Sequence, residues 1–288
     1  MSNEATNVPN TKPDKRRRSS LPILILAVLF VSATFLTWYY TWFGRDLTDN
    51  EVTTYLADEQ HPRHVQHALL QIQQRIDENK PVDQWSSRIV ELSKNPETEF
   101  RMTTAWLMGY QNKSEQFHQA LTRLLQDSEP MVRRNAALAL IRFDDGSGRD
   151  ILLATLKPLT VIATTDGTLN STLSEGSQVA RGTLLARVLE PNGNLLEVRS
   201  PVPGRVEKIV TGNGVTVTQG SAILTVDSDA NSIWEALRGL ALIGRVEDLA
   251  EIDRYANGVD SLPGRIKQQA ALTARTIQSR TVRTAGKG

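Results

Sequence analysis

Three histidines, His61, His64 and His67, recur at three-residue intervals, so successive rings can share one side of a helix at a spacing that suits metal ligation. Pro62 follows His61 and no carboxylate sits at a motif spacing, which favours a solvated first helical turn over a metal site. The run from Asp144 to Asp150, DDGSGRD, superficially matches a calcium loop, but it lacks the regular oxygen ligands and terminal glutamate of an EF-hand and falls where an inter-helix turn is needed. His118 stands in a helical segment with no nucleophile motif nearby. No phosphate-cradling glycine loop, dinucleotide fingerprint or nucleophile elbow occurs. The absence of cysteine removes thiol nucleophiles, disulfides and thiolate-bound metals. The expectation is no catalytic residue, no metal site and no cofactor, hence a binding protein and not an enzyme.

Charge supplies the remaining polar candidates. The 288 residues carry 33 Lys plus Arg against 32 Asp plus Glu, a net +1 that argues against a dedicated nucleic-acid binder. After Asp260 there are six basic residues, Arg265, Lys267, Arg275, Arg280, Arg283 and Lys287, and no acid. Such a helix can touch anionic headgroups, cell-wall polymers or an acidic partner; the plainer reading is a capping helix with a solvated positive face.

The elements that would position these residues begin with a membrane anchor. Residues 1–20 read as a flexible basic tail of charge +3. Leu21 to Phe43 follow without a charge, long enough as a helix to cross a hydrocarbon core of about 30 Å. Trp38, Tyr39, Tyr40, Trp42 and Phe43 crowd the far end, and the basic cluster the near end, so the tail is expected in the cytoplasm and the bulk of the chain in the periplasm. Val31-Ser32-Ala33 offers a rival reading as a signal-peptide cleavage site, but the apolar run continues ten residues beyond it.

A repeat with a period of 32 organises the rest. Phe100-Arg101, followed by Thr104, Ala105 and Leu107, aligns with Val132-Arg133, followed by Ala136, Ala137 and Ala139. Each is followed by a second apolar helix pattern, making the unit a helical hairpin. Trp234-Glu235 with Gly239, Leu240 and Leu242 matches Val132-Arg133 with Ala137, Leu138 and Leu140 at an offset of 102, one period plus 70 residues. A 70-residue insertion, residues 159–228, therefore interrupts the array. The segment from Asp127 to Leu140, DSEPMVRRNAALAL, resembles HEAT repeats, which implies a helical solenoid over 60–158 and 229–280 with Asp127 and Arg133 in structural polar ladders.

The insertion is itself duplicated. Gly167-Thr-Leu169 aligns with Gly204-Arg-Val206, and Gly176, Val179, Gly182, Leu185 and Val188 align with Gly214, Val217, Gly220, Ile223 and Val226. With Glu197-Val-Arg-Ser200-Pro201-Val-Pro-Gly204, this pattern resembles the biotinyl/lipoyl domain, which implies a flattened β-barrel of two symmetric halves. Carrier members hold biotin or lipoate on a hairpin-tip lysine; the matching position here is Gly193, so no cofactor is expected. An unmodified lipoyl-like module behind an anchor is similar to that of periplasmic adaptor (membrane-fusion) proteins, though without their long coiled-coil hairpin.

The reading is a multidomain, membrane-anchored α and β protein: tail 1–20, transmembrane helix 21–43, HEAT-like repeats 60–158, β-domain 159–228, repeats 229–280 and a flexible tail 281–288. Its expected role is a non-enzymatic scaffold or adaptor in a bacterial envelope complex for transport or secretion, contacting protein partners through Asn192, Gly193, Asn194, Arg265, Lys267 and Arg275. The alternative is a non-carrier or regulatory subunit of a biotin- or lipoate-type enzyme system.

Overall fold

The computed structural model describes residues 21–41, 45–111, 114–171, 173–259 and 261–285. The basic tail 1–20, Trp42, Phe43 and the last three residues lie outside this set. The chain divides into two compact units, residues 1–48 and 49–288.

In the first unit, α1 (Leu21–Thr41) forms as expected of a 21-residue run without a charge. Its side chains are described without interruption only over residues 23–37, and among the described residues no helix is long and apolar enough to cross a membrane.

The second unit opens with α2 (Asp49–Ala57), α3 (Pro62–Asp77), α4 (Ser86–Leu92), α5 (Thr98–Met108), α6 (Glu115–Leu124), α7 (Pro130–Leu140) and α8 (Arg149–Thr155). The helical array thus begins at Asp49, before the expected residue 60, because α2 buries Val52 and Leu56 beside α3. The period of 32 is visible at the level of single bonds. Arg101 donates to the carbonyls of Asn95 and Pro96, at 3.0 and 2.8 Å. One period later Arg133 donates to the carbonyls of Asp127 and Ser128, at 2.6 and 2.8 Å. Asn95 and Asp127 likewise each accept the backbone N–H two residues on. Each arginine therefore closes the turn ahead of its own helix, satisfying carbonyls that the helix cannot.

Arg101 also spans to the next unit, forming a two-pronged pair with Asp127 at 2.7 and 3.0 Å. Burial alone would raise the Asp127 carboxyl, but Arg101 and the Glu129 N–H outweigh it and hold the group below its ordinary range. The Asp127 side chain thus links two repeats, as the HEAT resemblance implied, while Arg133 bonds within its own turn.

The array resumes after the insertion as α9 (Ala230–Ile243), α10 (Leu249–Ala256) and α11 (Gly264–Ala285). Asp229 caps α9, its side chain accepting the Ser232 N–H at 2.8 Å, so the last β-strand passes directly into a helix. Across the gap α8 packs on α9, Arg149 pairs with the buried Asp248, and Tyr255 donates its hydroxyl to the Leu156 carbonyl at 2.7 Å. Burial pushes the Tyr255 hydroxyl pKa up to about 12. Gly239 permits this junction: a Cβ there would come within 2.6 Å of Leu152 and 2.8 Å of Ile141. The helix α11 runs to Ala285, past the expected start of the tail at 281, and its apolar stripe buries Ile266, Ala270, Ala274 and Ile277.

The insertion carries β1 (Leu159–Ile162), β2 (Gly167–Asn170), β3 (Gln178–Val179), β4 (Leu184–Leu189), β5 (Leu195–Arg199), β6 (Gly204–Ile209), β7 (Thr216–Val217) and β8 (Ala222–Ser228). They form two four-stranded antiparallel sheets, ordered β1-β8-β6-β3 and β5-β4-β2-β7. Exchanging each strand for the one four places away in the order of eight (β1 for β5, β8 for β4, β6 for β2, β3 for β7) converts one sheet into the other, so the duplication in sequence is a two-fold relation in space. The shared core obeys it too: Val161, Leu169, Val179, Leu185, Ala186 and Val188 correspond to Val198, Val206, Val217, Ile223, Leu224 and Val226. Gly167 and Gly204 are equivalent close approaches, where a Cβ would overlap the carbonyl of Leu189 or of Asp227. The sheets do not close into the expected barrel. The edge strands β3 and β7 are only two residues long and pair on one side each, which leaves a two-sheet arrangement.

Candidate functional site

Successive helices of the second unit place one chemically distinctive surface, a groove over α5, α7 and α9 with a cavity volume of about 420 Å³. The period of 32 builds it. Trp106 and Leu138 occupy equivalent positions in adjacent repeats, as do Tyr110 and Arg142, and all four line the groove. Trp106 meets Tyr110 edge-on with ring centroids 4.8 Å apart, and the Arg142 guanidinium lies 4.4 Å from the Tyr110 centroid. From the far side of the insertion, α9 adds Glu235, Arg238 and Leu242. Arg238 lies over Trp234 at 4.6 Å.

Arg134 sits at the base of the groove. Its side chain retains 13% exposure, bonds Ser232 and reaches Glu235 at 3.6 Å. Its Nε has no hydrogen-bond partner among the described residues. Burial pulls this guanidinium below its ordinary pKa, and the neighbouring charges of Glu235 and Asp229 act the other way. The groove therefore presents three guanidinium groups and one carboxylate, flanked by Trp106 at 40% and Leu242 at 64% exposure. That combination suits recognition of an acidic, partly apolar chain.

The residues singled out from sequence lie elsewhere. Asn192, Gly193 and Asn194 form the turn joining β4 to β5, with Gly193 at φ 88°. Asn192 accepts the Asn194 N–H and donates to Glu190, so the turn is bonded to itself and fully exposed. Arg265, Lys267 and Arg275 are exposed on α11, and Arg265 donates to Asn231 at 2.6 Å, tying α11 to the start of α9. None of these six lines the groove. Sequence reading missed Trp106, Tyr110, Arg134, Arg142 and Arg238, although the equivalence of Tyr110 with Arg142 was a usable signal.

The residues weighed for metal binding also separate. Asp145 of the calcium-like run accepts the Ser147 N–H and lies 2.8 Å from His118 Nε2, which makes it a turn-stabilising carboxylate. His67 is buried on α3 near Tyr55, with ring centroids 6.0 Å apart. His61 and His64 instead converge on a carboxylate that the spacing argument passed over, Asp58.

The family described as HEAT repeats matches residues 86–161, the stretch from α4 into β1. No curated protein matches the chain. Among solved structures, the product-bound ectoine utilization protein EutE (DoeB) from Ruegeria pomeroyi is 27% identical over 24% of this chain and 22% of its own, with a TM-score of 0.22. The apo form of that protein is 18% identical over 36% of each chain, with a TM-score of 0.23. A single-chain, multi-domain long-chain acyl-CoA carboxylase is 18% identical over 46% of this chain and 14% of its own, with a TM-score of 0.24. The chain spans only a minor part of each of these structures. The chain is thus similar to HEAT repeats through the helices that build one side of the groove.

Proposed function

We propose that this protein is a membrane-anchored, extracytoplasmic scaffold whose helical groove holds an acidic segment of a partner in a bacterial envelope complex. The observation that carries the reading is the groove itself: aromatic faces and guanidinium groups, the residue types that dominate protein interfaces, gathered along one face of stacked helices. The groove is built across the insertion. Arg134 precedes it and Ser232 follows it, so the groove exists only when the two helical segments meet.

Anchoring rests on α1. In the sequence the uncharged run extends past α1, from Leu21 to Phe43, and Ile23, Leu26, Phe30 and Val31 of α1 are 65–73% exposed. Such a surface needs an apolar cover, and the flanking basic residues and aromatic side chains of the sequence suit a bilayer with the amino terminus in the cytoplasm. The β-domain belongs to this reading as a lipoyl-like module without a carrier lysine, comparable to those of periplasmic adaptors, with Gly193 where the cofactor would be attached.

Affinity capture of the full-length protein from membranes in mild detergent tests the proposal. A specific envelope protein is expected with the natural chain and is expected to be lost with Arg134→Glu. Recovery of no specific partner, or of the same partner with the groove reversed in charge, contradicts it. Retention of the chain in the membrane pellet after alkaline carbonate washing tests the anchor separately.

A further inference from the structure

The turn between α2 and α3 gathers three metal-ligating groups that serve no part of the groove. Asp58 lies just past α2, His61 is the N-cap residue of α3, and His64 is in its first turn. Both imidazoles direct the same nitrogen to the same carboxylate. His61 Nδ1 is 2.9 Å from both Asp58 oxygens, and His64 Nδ1 is 2.7 Å from one of them. The three ligand atoms all lie within 4.8 Å of one another.

The turn holds this geometry by its own bonds. His61 N–H donates to the Asp58 carbonyl at 3.1 Å, and His64 N–H donates to the His61 carbonyl at 2.8 Å. The His64 ring is stacked on Tyr55, with centroids 4.3 Å apart and planes inclined by 14°, so its Nδ1 is aimed without a metal being needed to orient it.

We propose that Asp58, His61 and His64 form a site for a divalent transition metal of the zinc type. Two imidazole nitrogens and one carboxylate oxygen are the donor set that such borderline cations select over magnesium or calcium, which prefer all-oxygen shells. Bonds of about 2.0–2.2 Å to a tetrahedral centre place ligand atoms roughly 3.3 Å apart, so the 2.7–2.9 Å His–Asp spacings need open by about half an ångström, and the two imidazole nitrogens, within 4.8 Å of each other, need settle to the same separation. Both histidines are exposed enough to leave further coordination positions to solvent or to another ligand. Because the ligands come from both sides of one turn, the ion would clip α2 to α3 at the first helical pair of the second unit, where an array of repeats has a neighbour on only one side.

The test is calorimetric titration of zinc chloride into the full-length, untagged, chelator-treated chain in detergent, with magnesium chloride as a parallel probe. One zinc per chain is expected, with no detectable magnesium binding. Asp58→Asn and His64→Ala should each weaken zinc binding by at least about tenfold, whereas His118→Gln, which alters the other histidine–carboxylate pair, should leave it unchanged. Zinc should also raise the melting temperature of the natural chain and not that of His64→Ala, while circular dichroism confirms that both are folded. No zinc binding, or binding that survives both Asp58→Asn and His64→Ala, overturns the proposal.

Discussion

The helical array and the β-domain are both built by duplication, yet they use it in opposite ways. In the helices the copies are related by translation along the chain: Arg101 and Arg133 repeat the same turn-closing bonds, and each copy presents the same face again. In the insertion the copies are related by a two-fold relation, so the apolar face of one sheet is covered by its equivalent in the other. A two-fold pair completes itself. A translated series leaves an uncovered row, and that row is where Trp106, Tyr110, Arg142 and Arg238 collect. The uncovered aromatic and guanidinium groups therefore lie on the helices, while the β-domain contributes a finished body and an exposed turn.

The largest effect is expected where the translated series is tied together. Asp127→Ala removes one member of a pair whose side chains are only 8% and 12% exposed. The cost should be about 3 kcal/mol by urea unfolding, at the lower end for such a pair because Arg101 keeps its bonds to the Asn95 and Pro96 carbonyls. A loss below about 1 kcal/mol would mean that the ladder is ornamental to stability. The pair also sets an acid limit. Because the folded Asp127 carboxyl lies below its ordinary 3.8, its stabilisation is present above that pH and is lost as pH falls through the lower folded value. Asp127→Asn should flatten this limb of the stability–pH curve relative to the natural chain.

The symmetry of the β-domain makes a sharper claim at smaller amplitude. Gly167→Ala and Gly204→Ala each press a methyl group against the backbone of a neighbouring strand, and each should cost about 2 kcal/mol. Comparable costs support structural equivalence of the halves, with any excess at Gly167 due to its φ of 158°, which Gly204 does not share; a loss confined to one would break it. Gly193→Ala, at a positive φ but with open space around it, should cost only about 1 kcal/mol and leave partner binding intact. A strong binding defect there would return the contact surface to the hairpin turn.

Much of the architecture was legible because it is periodic. The offset of 32, the surplus of 70 residues and the paired glycines each reflect one copy constraining another. Features that depend on a single tertiary meeting were not legible. Arg134 and Ser232 become neighbours only once the insertion is looped out. Asp58 differs: it stands three residues ahead of His61, at the interval that separates His61 from His64, but in the turn outside the helix, where helical spacing alone does not place it. The open sheets escaped notice for a similar reason: strand spacing fixes pairing, whereas closure depends on edge strands as short as β3 and β7. The groove was half legible, since Tyr110 and Arg142 are one period apart, but the contribution of α9 required the array to resume in register.

Site-specific photo-crosslinking in intact cells tests the central claim most directly, with a photoreactive residue placed either at Trp106 in the groove or at Asn192 in the hairpin turn of the full-length chain. The groove position should yield a discrete adduct with one envelope protein, which Arg134→Glu abolishes, and the turn position should yield none. An adduct from Asn192 alone, or a Trp106 adduct indifferent to Arg134→Glu, would contradict the assignment of binding to the helical array.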